Sequence, residues 1–324
     1  MFSKIRKAGN GNFGISLIDR SGNNHSLSRH EIALLQLSPG RMMPHAAILA
    51  AKHPSRRVIW LLIKNGARKM AGGLVGKDEK REIISGLLRG YAEASFVELT
   101  HDSMTTRIAI TKGERDLRGK TMLARAIMQE NQYGVEEHMV KGKTVIDAGA
   151  NIGIFSIHAA LMGAEKVYAF EPVGKTFDIL VENIRINGLG TTIEPINCAL
   201  GDSNGIGTIN YRYPGDGGAS FVLQREFKES QIVEIRTIDS IFGANHSIGF
   251  VKIDSEGYES RILAGAAETV GMCRPVLSFS AYHYENDEND LMALVKKLWS
   301  GYDVIVRNVR EKTLFCRQLR VAMA

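Results

Sequence analysis

The chain has 324 residues, of which 44% are hydrophobic and 23% are charged, a composition that is ordinary for a folded globular protein and excludes a disordered one. No apolar run approaches the roughly 18 residues that a transmembrane helix needs, and the first residues lack the apolar core of a secretory signal. Three widely spaced cysteines form no CxxC pair, which argues against a disulfide framework or a structural zinc site. We therefore expect a reducing, cytoplasmic setting.

The sequence pattern of residues 1–95 predicts a small, basic and mainly helical N-terminal region of unknown role. Apolar residues at helical spacing mark 31–37, 46–52 and 82–95. The first hundred residues carry 16 Lys and Arg against 7 Asp and Glu, whereas the remainder carries 25 against 28. Such a region can bind nucleic acid, acidic glycans or anionic lipids. Its cations are scattered and lack interleaved aromatic residues, which favours a solvated face.

The rest of the chain, residues 96–324, predicts a larger α/β domain with its core at 143–319. A pair of strands at 96–100 and 105–111 and a helix at 121–132 lead into it. Strands and helices then alternate, which specifies a parallel sheet covered by helices on both faces. The strands are predicted at 144–148, 166–171, 193–199, 249–254 and 275–282, and the helices at 153–162, 174–187, 258–270 and 289–299.

Two segments depart from this alternation. Residues 302–308 and 313–319 are strand-like and joined by a short polar turn, so they predict an antiparallel hairpin at the edge of the sheet. An ordinary dinucleotide-binding sheet would instead finish in parallel units. Between the third and fourth strands, residues 201–240 predict an inserted hairpin with a mobile, glycine-rich loop that is well placed to meet a substrate.

A glycine turn with DxGxxxG spacing, Asp147–Gly153, joins the first strand of the core to its helix. Gly149 keeps side chains away from a ligand, and Gly153 lets the helix begin close to the sheet. Glu171 ends the next strand, 24 residues after Asp147, where an acid can accept hydrogen bonds from both hydroxyls of a ribose. A carboxylate at the end of the first strand favours a cationic sulfonium amino acid over a pyrophosphate.

These segments, together with Phe170–Pro172, 183–187, 237–239 and Val251–Glu259, resemble the FkbM family of class I methyltransferases over roughly residues 96–310. The Lys-Ile-Asp-x-Glu-Gly-x-Glu stretch is the most specific of them. The resemblance implies a Rossmann-like class I methyltransferase sheet, mostly parallel with an antiparallel final hairpin. It also implies S-adenosyl-L-methionine as the donor, and most often methylation of a hydroxyl on a glycan, lipid or secondary metabolite.

On this interpretation, the residues expected to bind the cofactor lie at the glycine turn and near the ends of the first four core strands. They are Asp147, Ala148, Gly149, Ala150, Asn151, Gly153, Phe155, Glu171, Pro172, Cys198, Ala199 and Asp254.

Four residues are candidates for the chemical step, because ligands of open α/β sheets lie at the carboxyl ends of the strands. Asp254, Glu256 and Glu259 match signature acids of the family; they could hold the donor or acceptor, act as the base or recruit Mg²⁺. His283 follows the fifth strand, and its near-neutral pKa makes it the natural candidate for the base. Many members of the family carry a Glu near that point. The sequence alone specifies no metal site.

Three other functions compete with this interpretation. An NAD-dependent oxidoreductase is disfavoured by Asp147, by the DxGxxxG spacing and by the final hairpin. An RNA methyltransferase would use the basic N-terminal region as its binding arm, but the chain has no Asn-Pro-Pro-Tyr motif of the kind that marks methylation of base amino groups. The third is a non-catalytic binding module on the same fold. The identity of the acceptor and the oligomeric state stay open.

Overall fold

A computed structural model describes residues 13–19, 24–27, 94–101, 104–109 and 113–318, with 216, 224 and 244–246 left out. The chain divides into two compact units, one of them Gly9–Arg125 and the other containing Ala126–Ala324. The domain boundary predicted from the sequence lies earlier, between residues 95 and 96. The helices predicted at 31–37 and 46–52 lie outside the described residues, as does most of the helix predicted at 82–95.

The first unit contains a four-stranded antiparallel sheet in the order β2-β1-β3-β4. Its elements are β1 Phe13–Asp19, β2 Asn24–Leu27, β3 Ala94–His101, β4 Met104–Ala109 and helix α1 Gly113–Ala124. The β3–β4 hairpin was expected, whereas β1 and β2 lie in the region predicted to be mainly helical. Residues 94 and 95, predicted to end a helix, begin β3 instead. The helix predicted at 121–132 begins earlier, and a π-helical turn, Arg125–Gln129, follows it.

The second unit is built on a seven-stranded sheet in the order β13-β14-β12-β11-β5-β6-β7. Its strands are β5 Thr144–Ala148, β6 Lys166–Phe170, β7 Ile193–Ile196, β11 Ile248–Ile253, β12 Val276–Ser280, β13 Tyr302–Asn308 and β14 Lys312–Gln318. Five neighbouring strands of this sheet, β12, β11, β5, β6 and β7, pair in parallel. Only β14 runs against its neighbours, β12 and β13. This topology confirms the predicted Rossmann-like sheet of class I methyltransferases with its antiparallel final hairpin.

Seven helices of the described residues accompany this sheet: α2 Glu137–Val140, α3 Ile154–Leu161, α4 Gly174–Ile186, α5 Ile238–Phe242, α6 Glu259–Ala264, α7 Ala267–Cys273 and α8 Asp287–Leu298. The central strands are apolar on both faces, as a sheet covered on both sides requires. Val251, Ile253, Leu263 and Phe279 are fully or almost fully buried in the core beside these helices. None of the described helices is long and apolar enough to cross a membrane.

A second, three-stranded sheet fills the segment predicted to be an inserted hairpin. Its strands are β8 Ala199–Leu200, β9 Gly205–Tyr211 and β10 Glu229–Arg236, in the order β8-β10-β9. The strand predicted at 193–199 is therefore divided between two sheets. The chain leaves the large sheet after Ile196, and the Asn197 side chain donates hydrogen bonds to the carbonyls of Glu171 and Pro172 at the point of departure. Ala199 then pairs with Ile235 of β10.

The helix predicted at 258–270 is two helices, α6 and α7, that meet at Gly265. The φ of Gly265 is −79°, which any residue adopts, so the constraint there is space. A Cβ atom added to Gly265 would lie 1.9 Å from the backbone oxygen of Gly201. The loop after β8 therefore packs directly against the backbone at the break between the helices.

We expect Gly265→Ala to lower the free energy of unfolding by about 1–3 kcal/mol, because backbone has to move to relieve the contact with Gly201. Gly271 in α7 is the matched control, since no atom of the described residues lies within 4 Å of a Cβ placed there. Gly271→Ala should raise the stability by about 0.5–1 kcal/mol through helix propensity. Urea unfolding measures both. Equal effects of the two substitutions would contradict the packing argument.

Candidate functional site

A cleft with an empty volume of about 630 Å³ lies between the carboxyl ends of the central strands and the three-stranded sheet. Eight of the residues predicted to bind the cofactor or to act in the chemical step line it: Gly149, Asn151, Glu171, Pro172, Cys198, Ala199, Asp254 and Glu256. The others lie behind its walls: Asp147, Ala148, Ala150, Gly153, Phe155, Glu259 and His283. The sequence therefore points to this cleft, although not all its candidates touch it.

The glycine turn after β5 brings backbone to the cleft with no side chain in between. Gly149 has a φ of +72°, and a Cβ atom there would lie 2.0 Å from the backbone oxygen of Asp254. Asn151 also has a positive φ, +50°. Left-handed backbone at a bulky residue would be strained, whereas Gly and Asn tolerate it. The turn thus fits tightly against the end of β11 and exposes polar backbone to a ligand.

Asp147 lies behind this turn and is completely buried. Its Oδ2 accepts a hydrogen bond of 2.6 Å from Ser156, and its Oδ1 lies 3.0 Å from Nζ of Lys252. The same ammonium donates to the carbonyls of Ala148, at 3.3 Å, and Gly149, at 2.8 Å. Asp147 therefore acts on the cleft through the turn that it anchors. The sequence analysis assigned Lys252 no role of its own, although a lone cation in an apolar strand is a signal of a buried partner.

Glu171 lies at the cleft wall directly after β6 and is 5% exposed. Its two oxygens accept hydrogen bonds of 2.9 Å from the backbone N–H groups of Asn151 and Val173. Burial raises the pKa of this carboxyl to about 7, although the two N–H groups and nearby Lys252 lower it. Each carboxylate oxygen can accept a second hydrogen bond. A ligand hydroxyl that donates to Glu171 would therefore stabilise the ionised form.

Asp254 follows β11 and is held at both oxygens. Tyr133 donates a hydrogen bond of 2.6 Å to Oδ2, and Ser280 donates one of 2.8 Å to Oδ1. Burial and the neighbouring Asp254 carboxylate raise the pKa of Tyr133 well above its ordinary value, so Tyr133 stays a donor. Its ring packs edge-on against Phe155, with centroids 5.5 Å apart. Phe155 thus supports a donor to Asp254 and does not line the cleft.

Glu256 is presented to the cleft by an unusual backbone conformation, with a φ of +54°. The hydroxyl of Ser220, on the inserted segment, donates a hydrogen bond of 2.7 Å to its carbonyl. The guanidinium of Arg225, on the same segment, lies 2.7 Å from Oε2. A non-glycine residue in this region costs about 1–3 kcal/mol and persists only where its surroundings fix it. The insertion therefore helps to hold Glu256.

His283 has a completely buried side chain between two glutamates. Nε2 lies 3.6 Å from Oε2 of Glu256, and Nδ1 lies 3.5 Å from Oε2 of Glu259. Burial of the ring lowers its pKa, but the two carboxylates outweigh burial and raise it to about 10. The imidazole is therefore already protonated at neutral pH, which does not suit the expected role of general base. Glu259, 2% exposed, also accepts hydrogen bonds from the backbone and hydroxyl of Ser255.

Chemically, the cleft combines three kinds of group: polar backbone at the glycine turn, a buried acid at the ribose position, and two carboxylates, Asp254 and Glu256, at its floor. Tyr133, Ser280 and Arg225 hold those carboxylates and were missed by the sequence analysis. Each comes from a different segment of the chain, and none stands in a local motif. The inserted segment adds Ile209 and Tyr211 of β9, and Phe221 of the loop that follows it, to the lining of the cleft.

Comparison with known proteins gives a consistent result. Residues 147–305, just under half of the chain, match the family model described as the methyltransferase FkbM domain. Methyltransferase sdnD of Sordaria araneosa is 31% identical over 118 residues, which cover 35% of this chain and 43% of that protein. A ribosomal protein L11 methyltransferase of Streptococcus uberis is 34% identical over 70 residues, 22% of this chain and 21% of the relative. The chain thus spans less than half the length of either relative.

Among solved structures, the crystal structure of methyltransferase FkbM from Methylobacillus flagellatus KT is similar to this chain with a TM-score of 0.43 and 20% sequence identity. The alignment covers 64% of this chain and 56% of that one.

The buried ion pair behind the turn yields a test. We expect Lys252→Met to lower the free energy of unfolding by about 3–5 kcal/mol, because Asp147 is left charged, buried and without its cation. The double variant Asp147→Asn/Lys252→Met should be more stable than Lys252→Met alone, since it removes both charges. Lys141→Met, which breaks an exposed pair with Glu137, is the control and should change stability by less than about 0.5 kcal/mol. A double variant no more stable than Lys252→Met in urea unfolding would refute the coupling.

Proposed function

We propose, from the match of residues 147–305 to the family model described as the methyltransferase FkbM domain, that the chain transfers a methyl group from S-adenosyl-L-methionine to a hydroxyl of a small-molecule, glycan or lipid acceptor. The observation that carries the proposal is the meeting of the glycine turn, the buried acid Glu171 and the carboxylates of Asp254 and Glu256 in one cleft.

The cleft suits the donor in the chemistry of its walls. Glu171 keeps unused lone pairs that would accept the ribose hydroxyls. Gly149 and Asn151 would lie against the amino-acid part of the donor, and Cys198 and Ala199, on the apolar side of the cleft, against the adenine.

When bound, S-adenosyl-L-methionine supplies a methyl carbon activated by the adjacent positive sulfur, which departs as a neutral thioether. The residues of this chain mainly align the acceptor oxygen with that carbon, because proximity and orientation account for most of the catalysis of such a displacement. The hydroxyl proton must leave as the oxygen–carbon bond forms. The carboxylates of Asp254 and Glu256 line the cleft and are the groups that take it.

Glu259 and His283 act in this proposal as positioning residues. The His283 imidazolium lies between the carboxylates of Glu256 and Glu259, so it fixes Glu256 without touching the acceptor.

We also propose a cytoplasmic location, which the three free cysteines support.

Calorimetric titration with S-adenosyl-L-methionine tests the cofactor assignment. We expect binding to the wild-type chain, no binding of NAD, and a loss of about ten- to a hundredfold in affinity in Glu171→Ala, because hydrogen bonds to a charged group are removed. Glu194→Ala is the control, since Glu194 is half exposed and pairs only with Lys166 among the contacts described. If S-adenosyl-L-methionine does not bind, or if NAD binds more tightly, the proposal is refuted.

The raised pKa of Glu171 predicts how this affinity depends on pH. With a pKa of about 7, the carboxyl of the ligand-free protein is largely ionised at pH 8 and largely protonated at pH 6. The ribose hydroxyls donate to the ionised form, so affinity should fall by up to about tenfold between pH 8 and pH 6. Titration of the donor itself is common to all variants. The part due to Glu171 should be absent in Glu171→Gln, and an identical pH profile in both proteins would contradict this assignment.

A further inference from the structure

The floor of the cleft brings together three side chains of the kinds that bind metals. One carboxylate oxygen of Asp254, one of Glu256 and one ring nitrogen of His283 all lie within 4.8 Å of one another. Asp254 and Glu256 come from the end of β11, and His283 comes from the loop after the neighbouring strand β12. Two adjacent strand ends thus point a mixed oxygen and nitrogen donor set at one place.

The unmet polar capacity of His283 is a separate observation. Its side chain is completely buried, yet neither ring nitrogen has a hydrogen-bond partner within the described part of the chain. Oε2 of Glu256 is likewise buried, and among the contacts described it is paired with the charge of Arg225, at 2.7 Å. Most buried polar side-chain atoms do have a partner, and an exception suggests an ion or a water that completes the site.

We propose that Asp254, Glu256 and His283 form a binding site for one divalent cation of a first-row transition metal such as Mn²⁺. Two carboxylate oxygens and one imidazole nitrogen suit a first-row transition metal better than Mg²⁺, which takes oxygen ligands almost alone. Tyr133 and Ser280 each donate one hydrogen bond to Asp254. Because each carboxylate oxygen has two lone pairs, these bonds orient Asp254 and leave it able to bind the cation.

The surroundings of the site fit this assignment. Glu259 lies 3.5 Å from Nδ1 of His283, where a carboxylate commonly orients a metal-bound imidazole through its second nitrogen. The cation would take the place of the proton on Nε2, as metals do when they bind histidine. Arg225, 2.7 Å from Glu256, carries the positive charge that the cation would displace. Its side chain is 37% exposed, so it can swing into solvent.

The site would serve the acceptor. Asp254 and Glu256 line the cleft whereas His283 lies behind them, so three protein ligands leave coordination positions open on the cleft side. A hydroxyl that binds there becomes more acidic, so Asp254 or Glu256 takes its proton more readily, through the carboxylate oxygen that does not bind the cation. This use rests on the proposed function, whereas the existence of the site rests only on the geometry of the three side chains.

Titration of the metal-free, full-length protein with MnCl₂, followed by the electron paramagnetic resonance signal of free Mn²⁺, tests the site. We expect one Mn²⁺ per chain and at least a tenfold loss of affinity in Glu256→Gln and in His283→Gln. Pulsed electron paramagnetic resonance of the bound Mn²⁺ should show a nitrogen ligand, and this nitrogen signal should be absent in His283→Gln. Arg225→Gln should tighten binding, because a competing charge is gone. Glu285→Gln, which changes an exposed acid two residues from His283, should leave affinity unchanged.

Circular dichroism establishes that each variant is folded, and Glu256→Gln keeps the test valid if the buried His283 variant does not fold. The proposal is overturned if no Mn²⁺ binds at millimolar concentration, if Glu256→Gln binds as the wild type does, or if the bound ion has no nitrogen ligand. Titration with S-adenosyl-L-methionine in the presence of EDTA tests the proposed function without the cation. If the donor does not bind there, although Mn²⁺ binds normally in the separate MnCl₂ titration, the proposed function is refuted and the cation site stands.

Discussion

A buried ion pair between two neighbouring strands is the constraint on which the cleft depends. Lys252 of β11 lies opposite Asp147 of β5 in the register of the parallel sheet. Removing both charges from water is costly, and the cost is offset only while the pair keeps its geometry. The ammonium also binds the two carbonyls that follow Asp147. The ends of both strands are thereby fixed together, and with them Gly149 and Asp254 on the ligand side.

The sequence predicted the large sheet well because its signals are local. Strands β5 and β13 begin and end where the apolar runs predict, and the remaining strand and helix boundaries of the core mostly agree within two residues. The departures arise where a distant contact decides. Gly265 divides a continuous helical pattern because the backbone of Gly201 occupies the space beside it. β7 ends at Ile196 because the chain crosses to the second sheet, where Ala199 of β8 pairs with Ile235 of β10, a distant partner that no local pattern reveals.

The site was predictable where chemistry and chain position coincide. The glycine turn and the acids of the Lys-Ile-Asp-x-Glu-Gly-x-Glu stretch carry their own spacing, so their nearness to a ligand follows from the topology of the sheet. Their partners do not. Tyr133 reaches Asp254 across 121 residues, and Arg225 reaches Glu256 from the inserted segment. The protonated state of His283 depends on two glutamates whose distances are set only in the folded chain.

The order of the last two strands bears on how the chain folds during synthesis. β14 lies between β12 and β13, so a strand made later separates two strands made before it. Until it leaves the ribosome, one edge of β12 stays open and β13 has no neighbour in the sheet. Unpaired edges of this kind invite pairing with other chains. The residues that line the cleft are therefore all made before β14 can close this edge of the sheet.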